Sequence, residues 1–448
     1  MYDATISSIP IAPPSKPADF DLGRAALRKV TVHLIPLMAI GYGTAYMDRV
    51  NISFAALQMN RALHFSSAAY GLGAGLFFLS YALGEIPSNL LLCRFGARRW
   101  LSRIMLTWGI IATGMLFVRT PMQFYVMRVL LGAAEAGFFP GVVFYLMQWF
   151  PPEMRARAIA RFYISLPLSS VLMGSVAGAL LKLDGRLGLA GWQWLFLIEG
   201  LPALVLSVVF FVVLPDGPAD ARWLTADERD WILACTRPVG SAHHGYSIVS
   251  ALRDARTILL GAFMLCFTAA GYAYMLYGPS LVQETAHYSA MHIGFLIAWF
   301  NLVGAGAMLL NATHSDRSGE RYWHILPLCL IMAAALFFCG LSRLPLVVIS
   351  SLGVLMVANS ALQGPVWSLP ASFLHGRSAA AGIAAINSVS ILGGFIGPYW
   401  MGVARDLTGN YQRGLITMAI PMLIATSIIL VLRGIQAHDL ANHTGRLR

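Results

Sequence analysis

Residues 93–98 read Cys93-Arg94-Phe95-Gly96-Ala97-Arg98, and residues 316–321 read Asp316-Arg317-Ser318-Gly319-Glu320-Arg321. Arg, Gly and Arg coincide at an offset of 223 positions, almost half of the 448-residue chain. So short a basic pattern says little alone. It becomes informative because each copy joins two apolar stretches long enough to cross a bilayer, which takes roughly 20 residues. Working outward from both copies, twelve stretches qualify: 31–57, 67–92, 100–118, 122–149, 156–182, 192–214, 257–282, 291–312, 324–342, 345–371, 379–404 and 413–433. Most connections are short. The exception, 215–256, opens with Pro215-Asp216-Gly217-Pro218 and divides the spans six and six. Within it, Thr225-Ala226-Asp227-Glu228 has capping-box spacing, which predicts a short surface helix starting at Thr225.

Composition agrees. The chain is 58% hydrophobic and 11% charged, where about 25% charged is usual for a soluble domain. A water-soluble globule so poor in charge would expose one continuous apolar surface. The expected fold is therefore an all-α polytopic membrane protein, twelve transmembrane helices in two pseudo-symmetric six-helix bundles repeated in parallel. Its parts are a tail over 1–30, a first bundle over 31–214, a central loop over 215–256, a second bundle over 257–433 and a tail over 434–448.

The net charge of +11 is nearly all arginine, and position decides its meaning. With the amino terminus inside, 22 of the 31 Lys and Arg residues fall in cytoplasmic segments and 7 in outer ones. Positive residues favour the cytoplasmic side, so both termini and the central loop are expected there, in a cytoplasmic (inner) membrane protein. Spent on orientation, the basic excess leaves no case for a nucleic-acid partner. The first 29 residues lack the apolar run and cleavage site of a secretory signal. Five cysteines without a Cys-x-x-Cys pair suggest neither disulfides nor zinc, and no cofactor or metal is expected.

These features resemble the major facilitator superfamily, whose loops two-three and eight-nine carry a Gly-x-x-x-Asp-Arg-x-Gly-Arg-Arg type motif. Asp316, Arg317, Gly319 and Arg321 follow it, as do Arg94, Gly96 and Arg98, but the first copy has Cys93 at the acid's place. Glu85, two turns earlier, is the candidate substitute in the inner latch. Within the superfamily, Tyr46-Met47-Asp48-Arg49-Val50-Asn51, Gly84-Glu85-Ile86-Pro87-Ser88-Asn89, the span-four run from Arg128 through Glu135 to Gly141, and Gly393-Gly394-Phe395-Ile396-Gly397-Pro398 resemble the anion:cation symporter family. That resemblance implies uptake of organic anions such as tartrate, sugar acids or aromatic acids, commonly with protons.

A charge inside a span costs at least about 2.5–3.5 kcal/mol, so each one is expected to be paired, hydrated or functional. The inventory is Asp48, Arg49, Glu85, Arg128, Glu135 and Glu199. At about 1.5 Å per residue, Asp48 lies about 24 Å up span one and Arg128 about 9 Å below the outer surface of a roughly 30 Å core. Their depths nearly coincide, so the two are expected to meet. Arg128 and Glu135 are two turns apart on one face of span four, which puts Glu135 near the middle of the membrane. Arginine's planar fork suits a carboxylate and keeps its charge. Arg49 is therefore the expected substrate grip, helped by Arg128 when the Asp48 pair opens, with Asp48 and Glu135 as proton-coupling sites. Family members place a substrate arginine and coupling acids at the positions of Arg49, Asp48 and Glu135. A purely structural network tying spans one and four together is the competing reading. Glu199, beside Gly200 and Pro202, is expected to bond backbone groups freed by a helix break.

The second half contributes neutral candidates. Tyr274 and Tyr277 are three apart, and Gln363 and Trp367 four apart, each pair on one helical face. The resemblance implies that Tyr274, Trp367 and Asn387, with Gln363 and Tyr46 beside them, contact substrate. Tyr272 and Tyr277 read equally well as interfacial anchors. The glycines and prolines of spans four and eleven are expected to allow close approach and bending. No phosphate-binding loop or His-Glu-x-x-His motif points to a pump or an enzyme. The expected activity is secondary transport of a small organic anion with protons by a monomer in the lipid bilayer, with exchange or export as the alternative and a non-transporting sensor as a remote one.

Overall fold

The computed structural model describes residues 17–163, 165–236, 253–373 and 376–445. The first sixteen residues of the expected tail and His243-His244 of the central loop lie outside them. Twelve long helical spans run Pro17–Ala62, Ser67–Phe95, Ala97–Gly114, Pro121–Glu135 with Phe138–Met147, Pro152–Tyr163 with Ser165–Leu181, Gly191–Val213, Ala255–Ala286, Ala290–Ser318, Tyr322–Leu341, Pro345–Ser368, Gly376–Thr408 and Gln412–Gly445. Eleven of these are long and apolar enough to cross a membrane. Span eleven packs against both span seven and span two.

Side chains written into the loops start the helices. Ser66 Oγ accepts the Ala69 N–H, Thr120 Oγ1 the Gln123 N–H with Pro121 at the first helical position, and Ser289 Oγ the His292 N–H. Each satisfies a donor that the first turn leaves open. The predicted capping box forms reciprocally: Glu228 N–H donates to Thr225 Oγ1 at 3.3 Å and Thr225 N–H to Glu228 Oε2 at 2.9 Å. The resulting helix, Ala226–Thr236, reaches back to span one, where Lys29 Nζ bonds Glu228 Oε2 at 2.8 Å. Trp231 lies so close over Gly23 that a Cβ there would stand 2.5 Å from its ring. Span one is helical from the first described residue, Pro17, well before the expected 31, and the central helix packs on this segment at Gly23.

Span four also departs from the continuous helix expected over 122–149. It breaks at Ala136, with ψ 133°, and Gly137, with φ +83°. Pro140 explains the place: its ring would clash with the carbonyl four residues back, that of Ala136, and it has no N–H to donate. The break falls directly after Glu135.

Between the halves, span two packs on eleven, five on eight and one on seven. Hydrogen bonds across this seam cluster on the side away from the termini. Asp406 accepts the Ser67 and Ala68 N–H groups at 3.0 and 2.8 Å, Tyr277 Oη donates to Ser67 O at 2.9 Å, and Arg61 to Gln283 at 3.3 Å. Small residues make the seam tight: a Cβ on Gly294 would lie 1.9 Å from Gly174 O.

The loop motifs correct one expectation. Asp216, at the end of span six, accepts the Arg98 N–H at 3.0 Å and lies 3.8 Å from its Nε. Gly96, at φ +83°, leaves room for that carboxylate, which would stand 2.5 Å from a Cβ. Asp216, and not Glu85, is therefore the acid that meets Arg98 of the first loop. In the second copy Asp316 pairs with Arg321 at 3.4 Å, and Gly319 ends span eight in the left-handed conformation.

Candidate functional site

Arg49 leaves span one toward the break in span four. Its Nε and Nη2 both donate to Glu135 Oε1, at 3.0 and 2.5 Å. The arginine side chain is 13% exposed and that of the acid 1%, so the pair has one reachable end. Glu135 Oε2 has no hydrogen-bond partner.

Aromatic rings surround the guanidinium. It lies 4.9 Å from the Tyr81 ring centroid and 5.8 Å from that of Phe77. Arg128 approaches the same Phe77 ring at 4.6 Å, so one phenyl serves two cations. Ring quadrupoles attract cations most strongly where water is excluded. Tyr42, Tyr46, Tyr163 and Tyr272 also interact electrostatically with Arg49, and Tyr272 packs on Phe78 with ring centroids 4.2 Å apart. Tyr81 and Phe77 against the guanidinium, with four further tyrosines near enough to interact with it electrostatically, make an aromatic cage around the ion pair.

The expected direct contact between Asp48 and Arg128 is not made. Arg128 is 2% exposed and donates to the carbonyls of Gly73 and Ala74 at 3.4 and 3.5 Å. Asp48, also 2% exposed, accepts a long 3.4 Å bond from Asn51 Nδ2. The two still interact electrostatically, without an ion pair. Adjacent helical residues project about 100° apart. Arg49 therefore faces the cage while Asp48 turns into the bundle toward Trp108 of span three. Arg128 is sealed behind span two in this state, which leaves Arg49 as the reachable cation of the two.

The second half aligns differently from expectation. Tyr274 is 6% exposed, interacts electrostatically with Tyr46, and lies beside Leu281, Met401 and Tyr411; it makes no hydrogen bond to Arg49 or Glu135. Tyr277 belongs to the closed seam. Tyr272, two residues before Tyr274, is the span-seven tyrosine of the cage. Trp367 Nε1 donates to Gln363 Oε1 at 3.2 Å, the expected neighbours on one face, and neither bonds Arg49 or Glu135. Asn387 is half-buried on span eleven. Glu85 is half-buried and interacts with Arg49. Sequence reasoning missed Tyr42, Tyr81, Tyr163 and Phe77. For Tyr42 a signal existed, since positions 42, 46 and 49 recur every three to four residues beside a buried charge. Among the described residues no group of three or more His, Cys, Asp or Glu could hold a metal ion.

The chain belongs to the Major Facilitator Superfamily, whose profile matches residues 38–398. A protein of Agrobacterium vitis named as a tartrate transporter is 44% identical over 414 residues, 92% of each chain. A quinolone resistance transporter of Acinetobacter baumannii is 40% identical over 407 residues, 90% of this chain and 94% of that one. The family and the relatives make the chain a membrane transporter and not an enzyme. Among solved structures, a bacterial homolog of the human lysosomal transporter Spinster, inward-facing and unoccupied, shares the fold with a TM-score of 0.74 at 17% identity, covering 94% of this chain and 98% of that one.

Proposed function

We propose that this chain imports a small organic anion together with a proton across the cytoplasmic membrane by alternating access. The observation that carries the reading is the Arg49–Glu135 pair, in which a cation that keeps 13% of its side chain exposed is neutralised by a fully buried acid. Charge balance then links proton and substrate. An ionised Glu135 occupies the fork of Arg49, and an incoming carboxylate would meet an anion already in place. A proton on Glu135 removes that anion, and the substrate carboxylate takes over both N–H donors. A desolvated charge is tolerated only when paired, so each state of the site stays neutral. Because Arg49 is the reachable cation, one carboxylate per substrate molecule is recognised.

With both termini inside, as the distribution of arginines suggests, the closed seam would lie on the outer side of the membrane. The relative named for tartrate transport supports an organic-acid substrate. A relative named for quinolone resistance favours export as the second reading. A thermal-shift screen of carboxylates at two pH values tests binding. At least one carboxylate should stabilise the wild type, more strongly at the lower pH, and should not stabilise Arg49→Ala. Stabilisation undiminished in Arg49→Ala would remove Arg49 from the site. Counterflow with and without a pH gradient separates import from export.

A further inference from the structure

Two groups of polar side chains lie outside the transport site. Glu199 of span six does not make the expected bonds to backbone near Pro202, since neither of its oxygens has a hydrogen-bond partner. The other group lies where span eight ends and span nine begins, and it opens onto a cavity. Both spans pack on span ten, and between them runs a cleft of about 570 Å³ lined by Ala307, Leu310, His314 and Arg317 of span eight, Leu328 of span nine and Ala361 of span ten. Asn311 fixes its floor: its Nδ2 donates to Ala361 O at 2.8 Å and to His324 O at 3.4 Å, joining all three spans.

The cleft is polar at one end and apolar along the rest. From Ala307 to Arg317 it follows span eight for about 15 Å. Leu310 is 72% exposed and its neighbour Leu309 61%, so the apolar part is open to the hydrocarbon chains of a bilayer. Trp323, at the start of span nine, is exposed and carries the Arg433 guanidinium 4.4 Å from its ring centroid. Such rings sit at headgroup level, which sets the depth of His324 beside it. There His314 Nδ1 and His324 Nε2 face each other at 2.6 Å, so one of them donates and each ring keeps one further nitrogen. His324 Nδ1 is buried without a partner, and a hydrogen there would have nothing to receive it. Donation from His324 Nε2 to His314 Nδ1 avoids that, and leaves the N–H of Nε2 as a donor on the exposed His314 ring. Arg317, three residues on, shares that face of span eight. Both acids of the adjoining loop are engaged elsewhere: Asp316 pairs with Arg321 at 3.4 Å, and Glu320 Oε1 accepts the Tyr322 and Trp323 N–H groups. Among the described residues Arg317 therefore has no carboxylate partner. A cation and an imidazole N–H, one turn apart, stand at the head of an apolar channel, which suits a phosphate attached to a hydrocarbon chain.

We propose that the cleft between spans eight and nine binds one anionic phospholipid, its phosphate held by Arg317 and His314 and an acyl chain lying along Ala307, Leu310 and Leu328. The site is independent of which solute the protein carries and of how transport is coupled. Purified full-length protein in detergent, given an equimolar mixture of phosphatidylglycerol and phosphatidylcholine with the same acyl chains, should retain phosphatidylglycerol at least about fivefold better in native mass spectra. The double variant Arg317→Gln, His314→Gln should lose that preference. Arg433→Gln, which removes a cation from the same end of the bundle outside the cleft, should keep it. Glycerol phosphate, which has the phosphate but no chain, should not displace the lipid at equal concentration. Equal retention of the two lipids by the wild type, a preference unchanged in the folded double variant or lost in Arg433→Gln, or displacement by glycerol phosphate would each overturn the proposal. The two-lipid comparison needs no variant, so it decides the matter even where the double variant does not fold.

Discussion

Asp48 and Arg49 are neighbours in sequence with different surroundings, and the difference is one of helical rotation. Arg49 meets the acid of span four inside an aromatic cage, while Asp48 faces the amide of its own helix and the interior of the first bundle. A planar two-donor fork makes Arg49 hard to replace. Arg49→Lys should weaken substrate binding at least about tenfold, about 1.4 kcal/mol, read as a loss of ligand-induced thermal shift; unchanged binding would show that a point charge suffices. The charged members of this site were legible in the sequence, because a charge inside an apolar span needs a reason. Their partners were not. Depth along two helices placed Asp48 level with Arg128, but depth carries no azimuth, and azimuth paired Arg49 with Glu135. Tyr81, Tyr163 and Phe77 left no signal, since aromatic residues in apolar spans look like ordinary packing.

Elements were read well where local chemistry dictates them and less well where tertiary packing does. The capping box at Thr225 needed only four residues. The stretch of span one before residue 31 packs against Trp231 from a distant segment, and the break in span four rests on Pro140 acting against Ala136. Gly137 stands at that break with φ +83°, and a Cβ would lie 2.3 Å from Ser88 Oγ, which Trp100 holds by a hydrogen bond. Gly185 has a similar φ of +80° with nothing within 4 Å. Left-handed backbone costs a residue with a Cβ roughly 1–2 kcal/mol. Gly185→Ala should pay about that, and Gly137→Ala clearly more, seen as a larger fall in Tm; equal losses would refute the contact at Ser88. The clasp at Glu228 has a pH signature. Burial pushes its carboxyl upward, but the Lys29 ammonium and the Thr225 N–H outweigh it and hold the carboxyl below the usual glutamate range. An acid held low stabilises the fold above its unfolded value, about 4.3, and loses that contribution as pH falls through the folded one. Glu228→Gln should therefore lower Tm at neutral pH, with the difference from wild type closing below about pH 4. A constant difference across that range would show that Glu228 acts by shape and not by charge.

On the scale of the whole molecule, the parallel repeat was legible from the two loop motifs, and the comparison of halves shows where they diverge. The first loop borrows Asp216 from the end of span six, while the second uses its own Asp316. Which way the molecule stands in its cycle was not legible, because it depends on contacts between halves about two hundred residues apart or more, such as Asp406 capping the start of span two. A charged acceptor on two backbone N–H groups contributes about 1.5–3 kcal/mol per bond. Asp406→Ala should therefore shift the population toward opening of the seam, read as longer spin-label distances across it; distances unchanged from wild type would remove Asp406 from the seam's closure. The central proposal, that a proton on Glu135 frees Arg49 for the substrate, is tested most directly by Glu135→Gln in proteoliposomes loaded with a substrate found in the carboxylate screen. Counterflow should survive while accumulation driven by a pH gradient disappears; full gradient-driven accumulation by Glu135→Gln would contradict it.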